Sequence, residues 1–177
     1  ILDDIFKGEI NEVIVLMSHV HWDHIQGFPF FAPLFIPHAI TGLTLKFFGG
    51  TGWNGNIQEV LAGQMDPPEF PVEWEKIRHE GPALDFHNIH DRFSTTLVGA
   101  TDGEEIRISC RRLNHPNETY GWRIEYEGKV FAFATDTEPF RGHNPVLIDL
   151  TKNADLLYLD TQYTAGQYEG RKEDGGV

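Results

Sequence analysis

The sequence predicts an α/β protein in which two β-sheets pack face to face and helices cover their outer sides. Three observations favour this class. Val13 to Met17 is an apolar run rich in β-branched side chains, which is typical of a buried strand. Tyr120 to Tyr126 and Lys129 to Ala134 have the pattern of a hairpin, because Glu127-Gly128 joins them as a turn. A helical segment and a further strand follow the hairpin, so strands and helices alternate along the chain.

The first half of the chain contains three further elements and one irregular segment. Residues 1–10 predict the end of an amphipathic helix that stops at a glycine. Leu43 to Phe48 predicts a strand, and Asn56 to Ala62 predicts a short helix that is capped by its first residue. Gln64 to Val72 contains three prolines and is therefore expected to be irregular.

The second half contains two strand candidates before the hairpin and two elements after it. Ala83 to Ile89 alternates partly between apolar and polar residues, and Glu105 to Leu113 alternates more clearly. After the hairpin, a helix is predicted from Asn144 or Pro145 to Leu150 and a last strand from Ala154 to Leu159. The length suits one domain with one sizeable core, residues 1–177.

Composition and charge limit the function classes. Hydrophobic residues make up 40% and charged residues 23% of the chain, as in ordinary globular proteins, and no apolar run is long enough to span a membrane. The single cysteine, Cys110, excludes an internal disulfide and favours the reducing cytoplasm. The net charge of −13 disfavours a nucleic acid as partner, because phosphate binding draws on clustered Lys and Arg. We expect a small anionic substrate as the ligand. Whether the chain also forms a homodimer is left open.

Three histidines and an aspartate follow directly after the first strand. They are His19, His21, Asp23 and His24, spaced as H-x-H-x-D-H. Neutral imidazole nitrogens and carboxylate oxygens bind divalent transition metals, and three imidazoles beside an apolar strand are costly to desolvate without a partner. In an extended turn the first two histidines can share one ion, while the aspartate and the last histidine can reach a second. A histidine-rich surface loop is the alternative, and the spacing favours the metal site.

Two residues farther along the chain are candidates for the same site. His115 follows a predicted strand directly, as His19 does. Asp136 stands at the end of the apolar hairpin strand, where a carboxylate is unfavourable unless it meets a cation. An N-cap or turn aspartate is the alternative interpretation.

The H-x-H-x-D-H run, followed by His115 and Asp136, resembles the metallo-β-lactamase superfamily over nearly the whole chain. Gly27 and Phe28-Pro29 after this run are most similar to its phosphodiesterase branch, which includes transfer-RNA 3′-end ribonucleases and small cyclic-phosphate phosphodiesterases. The resemblance implies a four-layer αβ/βα sandwich and two divalent metal ions. The ligands that it implies are His19, His21 and His115 for the first metal, Asp23 and His24 for the second, and Asp136 bridging both.

One metal ligand that the resemblance implies has no counterpart in this sequence. Superfamily members place a further histidine on the second metal after the last strand, whereas His143 is the only histidine after Asp136 and precedes that strand. The chain also starts at Ile1 and ends on Asp-Gly-Gly-Val, so we expect a partial domain, truncated at both ends, with the missing ligand beyond Val177. A weakly held second metal is the alternative.

The predicted activity is that of a metal-dependent hydrolase. The resemblance implies attack on a phosphodiester by a hydroxide held between the two metals, with Asp23 and Asp136 as the catalytic residues that orient it. Zinc is the expected metal, with manganese or iron as alternatives. The expected substrate is a small cyclic phosphate or cyclic nucleotide. The alternatives are an RNA 3′-end endonuclease, a hydrolase of a β-lactam, lactone or thioester, and a non-catalytic module.

Overall fold

Two β-sheets form the centre of the computed structural model, which describes residues 1–51, 55–68, 70–99, 103–138, 143–161, 164 and 166–167. Their presence, together with the helices around them, confirms the predicted α/β class. The sequence also predicts a turn at Asp102-Gly103, before the strand that starts at Glu105, and this turn lies partly outside the described residues.

The first sheet contains three parallel strands in the order β1-β2-β3. Because successive side chains of a strand point to opposite faces, Val13 and Val15 pack with helices on one side, while Ile14 and Leu16 pack toward the second sheet. The first two strands lie within one residue of their predicted bounds. The three strands are β1 Glu12–Leu16, β2 Thr44–Gly49 and β3 Ala83–Asn88.

Helices cover the outer face of the first sheet and bury apolar residues such as Ile5, Leu61 and Ile77 against it. The predicted helix after residue 56 begins with a capping box, in which Asn56 Oδ1 accepts the Glu59 backbone N–H at 3.0 Å. The helices in this half are α1 Leu2–Phe6, α2 Trp22–Ile25, α3 His38–Thr41, α4 Ile57–Ala62 and α5 Trp74–Glu80. Three short 3-10 helices span Phe28–Phe30, Ala32–Phe35 and Gly63–Met65.

The second sheet contains five strands in chain order, antiparallel except for the last pair. The predicted hairpin has the predicted bounds, and its turn residues Glu127 and Gly128 have φ of +46° and +72°, as a type I′ turn requires. The elements are β4 Ser94–Val98, β5 Glu105–Arg112, β6 Tyr120–Tyr126, β7 Lys129–Ala134 and β8 Leu156–Leu159, with α6 Pro145–Thr151 on the outer face.

A shared core joins the two sheets. Phe48 of the first sheet packs in one cluster with Ile108, Cys110 and Trp122 of the second. The indole Nε1–H of Trp122 also donates to the backbone oxygen of Met17, at 3.0 Å. Helices, sheet, sheet and helix therefore form the four layers that the sequence predicts.

Two elements between residues 74 and 113 were not predicted. The region 83–113 holds three strands rather than two, because β4 lies between the predicted pair. Three of the five residues of β4 are exposed, so its stability depends on the ladder with β5, which a local pattern does not reveal. Helix α5 was missed because only Trp74 and Ile77 are buried in it.

No helix in the described part of the chain is long and apolar enough to cross a membrane. The cytoplasmic location and the homodimer stay predictions.

Candidate metal centre

The candidate ligands lie where strands of both sheets end. His19 and His21 follow β1, and His21 is the N-cap residue of α2, so Asp23 and His24 lie in the first turn of that helix. His115 follows β5 and Asp136 follows β7. The two sheets bring these ends together because the Tyr120 backbone N–H donates to the Ser18 backbone oxygen at 2.8 Å, which fixes the loop after β1 beside β6. All six predicted residues therefore converge.

A first group contains His19, His21, His115 and Asp136. Nδ1 of His21 lies 2.8 Å from Nε2 of His19 and 3.2 Å from Nε2 of His115. Oδ2 of Asp136 lies 3.4 Å from Nε2 of His19 and 3.7 Å from Nε2 of His115. Four atoms with lone pairs thus surround one small volume.

A second group contains Asp23, His24 and Asp136. Nε2 of His24 lies 3.0 Å from Oδ2 of Asp136 and 3.6 Å from Oδ2 of Asp23. The same Asp136 oxygen is therefore close to members of both groups. It occupies the position between two sites that a bridging carboxylate would need.

The spacing of these atoms fits metal ions. A tetrahedral ion with nitrogen ligands at about 2.0–2.1 Å holds neighbouring ligand atoms roughly 3.3 Å apart. The contacts in the first group range from 2.8 to 3.7 Å and lie on both sides of that value. The donor set of imidazoles and carboxylates without sulfur suits zinc, manganese or iron.

His19 is the most buried of the six residues, with 2% of its surface exposed. Burial, together with the neighbouring His24 and His21, lowers the pKa of His19 from 6.5 to about 4. Its imidazole is therefore neutral at neutral pH, which is the form that binds metal ions. Ser18 Oγ lies 3.2 Å from Nδ1 of His19 and can accept its proton, which leaves Nε2 facing the other ligands.

Two residues that the sequence analysis missed stand behind the candidate ligands. The side-chain amide nitrogen of Asn117 lies 2.7 Å from Nε2 of His21, and Oε1 of Glu138 lies 3.9 Å from Nδ1 of His115. Polar groups in such positions orient the rings of metal-binding histidines. Their only signal in the sequence is that each follows a candidate ligand, His115 or Asp136, by two residues.

The remaining histidines take no part in either group. His87 stacks on Phe48 and lies 3.0 Å from Asp85, while His79 and His143 are exposed. Within the described residues, the second group has three members and no further histidine.

The fold and the site define a class of protein. Residues 11–172 match the family described as a beta-lactamase superfamily domain, and the chain belongs to this superfamily.

Two curated relatives carry ribonuclease names. Ribonuclease BN of Proteus mirabilis (strain HI4320) is 26% identical over 136 residues, which cover 74% of this chain and 37% of the relative. Ribonuclease Z of Staphylococcus carnosus (strain TM300) is 23% identical over 174 residues, which cover 95% of this chain and 49% of the relative. The chain thus spans half or less of the length of these relatives.

Two solved structures share the fold. The short form of human tRNase Z superposes with a TM-score of 0.54 at 16% identity, covering 94% of this chain and 63% of that one. The metallo-beta-lactamase fold protein YhfI from Bacillus subtilis gives a TM-score of 0.50 at 19% identity, covering 88% and 53%. At these identities the likeness establishes the fold alone.

The expectation that nucleic acid is an unlikely partner is wrong in the light of these relatives. Both curated relatives are ribonucleases by name, and one structural neighbour is a tRNase. The expectation came from the net charge, which sums over the whole chain and does not describe the charge at any one surface.

Proposed function

We propose that this chain acts as a metal-dependent phosphodiesterase that cleaves RNA. The observation that carries the proposal is the pair of ligand groups that meet at Asp136. In this assignment His19, His21 and His115 hold one divalent cation, Asp23 and His24 hold a second, and Asp136 contacts both.

The cations would supply a nucleophile at neutral pH and offset negative charge on the phosphoryl oxygens. The chain's own groups fix the geometry. Asp136 is half-buried at the end of β7, while 72% of the Asp23 side chain is exposed. Asp23 is therefore the carboxylate that solvent and substrate can reach, and its free oxygen can accept a proton from an attacking water.

The choice of RNA rests on the two curated relatives, both of which are named ribonucleases. The net charge of −13 does not oppose the binding of RNA at the metal centre, because two divalent cations would dominate the local electrostatic potential. A small cyclic phosphate is bound by the same chemistry, but neither of these relatives bears the name of an enzyme for such a substrate.

Zinc is the proposed metal, because tetrahedral coordination by imidazole and carboxylate is its common geometry. In the described part of the chain, four ligands converge on the first proposed cation and three on the second.

The test is turnover by the zinc-loaded protein on a tRNA transcript with a 3′ extension, a cyclic nucleotide, bis(p-nitrophenyl) phosphate and nitrocefin. RNA and bis(p-nitrophenyl) phosphate should be cleaved. His21→Ala should lower both rates by more than about a hundredfold, since losing a ligand exceeds the 10–100-fold cost of changes behind the ligands. His79→Ala is the matched control, because His79 is exposed on α5 and lies in neither group.

Other outcomes would contradict the proposal. Cleavage of the cyclic nucleotide without cleavage of RNA would restrict the substrate to small cyclic phosphates. Turnover of nitrocefin alone would make the chain an acyl hydrolase. RNA cleavage that survives in His21→Ala would place the chemistry elsewhere.

A further inference from the structure

A basic cleft lies on the outer face of the second sheet, apart from the metal centre. It has a volume of about 560 Å³ and lies between the end of α6 and the strands β4, β5 and β6. Its size falls within the range of ligand-binding clefts. None of the residues that line it belongs to either candidate metal group.

The charge of this cleft is opposite to that of the chain as a whole. Among its lining residues are five cations, Arg92, Arg107, Arg111, Arg123 and Lys152, against two carboxylates. Five of the chain's fourteen basic residues therefore line one cleft in a chain whose net charge is −13. Because like charges repel one another, this concentration of cations points to an anionic ligand.

Two of the arginines are held in place by the protein. Arg123 donates to the backbone oxygens of Leu150 and Lys152 at 3.1 and 2.7 Å, and Arg111 pairs with Asp149. The buried Nε–H of Arg111 has no hydrogen-bond acceptor among the described residues, and its nearest carboxylate oxygen, on Asp91, lies 3.5 Å away. Arg123 also pairs with Glu125 at 2.6 Å, so both guanidinium groups are held in fixed positions on this face of the sheet.

Two other cations of the cleft have no side-chain partner among the described residues. The side chains of Arg107 and Lys152 are exposed, and neither forms an ion pair or hydrogen bond with a described residue. No ion pair among the described residues therefore neutralises these two positive charges.

The spacing of the cations favours a ligand with several charges. Arg107 and Arg111 lie on the same face of β5, four residues apart, which is roughly 13 Å along the strand. Arg123 faces the same side from β6, opposite Ser109 between them. A row of this length suits successive phosphates of a chain better than one small anion.

We infer that this cleft binds the phosphodiester backbone of RNA outside the metal centre. The identity of the ligand rests on the proposed function, whereas the charge and spacing of the cleft do not. Arg111 is four residues before His115, so a strand that leaves the metal centre can enter the cleft from this end of β5.

The test compares zinc-loaded variants in the binding of a fluorescein-labelled single-stranded RNA with phosphorothioate linkages, which keep the backbone charge and resist cleavage. Arg107→Ala combined with Lys152→Ala removes the two unpaired cations and leaves no carboxylate without its partner. The control combines Lys76→Ala with Arg78→Ala, which removes two positive charges from the exposed side of α5, where they pair with Glu80 and Glu75. Circular dichroism checks that both variants stay folded.

The cleft variant should bind RNA more weakly, on the order of tenfold at about 50 mM salt, and the slope of log affinity against log salt should fall by about 1.4 for two lost phosphate contacts. The control should keep both values. Equal losses in the two variants, or no loss in either, would overturn the assignment.

A parallel cleavage assay on the extended tRNA transcript separates this inference from the proposed function. If the wild type fails to cleave RNA but binds it through the cleft, the proposed function fails and the cleft assignment survives. If RNA is cleaved but binding does not depend on Arg107 and Lys152, the cleft assignment alone is overturned.

Discussion

Replacing Asn117 with glycine should weaken metal binding, although Asn117 is not itself a candidate ligand. The amide nitrogen of Asn117 lies 2.7 Å from Nε2 of His21, on the side of the ring opposite to the ligand atom Nδ1. When Nδ1 binds a cation, Nε2 carries the proton, and the amide oxygen of Asn117 can accept it after rotation of the amide. Glycine is the suitable replacement because Asn117 has a φ of +61°, which glycine adopts without strain.

The size of the effect follows from the burial of the pair. A neutral hydrogen bond contributes about 0.5–1.5 kcal/mol, and an unpaired buried donor costs about 1–3 kcal/mol. Both side chains are half-buried, so water can replace part of the lost contact. We therefore expect a loss of about 1.4 kcal/mol in the free energy of metal binding, which is a tenfold increase in Kd.

Competition with a chromophoric zinc chelator at neutral pH measures this Kd. Asn117→Asp keeps an acceptor for the Nε2 proton and should bind zinc at least as tightly as the wild type. Asn114→Gly is the matched control, because Asn114 is exposed in the same loop and, among the described residues, its amide donates only to the Glu138 backbone oxygen, at 3.5 Å. Wild-type affinity in Asn117→Gly, or an equal loss in Asn117→Asp, would refute the reasoning.

Two further predictions concern Asp136 and Cys110. Asp136→Ala should lower the zinc content as well as the rate of RNA cleavage, because one oxygen of Asp136 lies near both ligand groups. Elemental analysis measures the zinc content, and an unchanged value would contradict a bridging role. Burial raises the pKa of the Cys110 thiol to about 12, so the thiol should stay protonated at pH 9 and resist iodoacetamide until the protein unfolds. Mass spectrometry measures the alkylation, and labelling of the folded protein as fast as a free cysteine would disprove this.

The candidate metal site was predictable because four of its residues carry a local pattern. His19, His21, Asp23 and His24 are spaced by the turn from β1 into α2, and this geometry depends on short-range sequence alone. His115 and Asp136 could be added because each directly follows a strand.

Surface charge was not predictable, since it depends on which strands lie side by side. Arg107 and Arg123 are sixteen residues apart in the sequence and come to face the same side only through the pairing of β5 with β6. A net charge of −13 averages over such local concentrations, and for this reason it gave the wrong expectation about nucleic acid.

By itself, the sequence predicted the class of fold and the strands that lead into the site, because these depend on periodicity along the chain. It also predicted six candidate ligands, from their spacing and from the resemblance to the superfamily. Only the tertiary structure decided that Asn117 stands behind His21, that one oxygen of Asp136 reaches both groups, and that five cations meet on the second sheet. These features join residues that are distant in the chain. Packing and strand register create such contacts, and no local pattern encodes them.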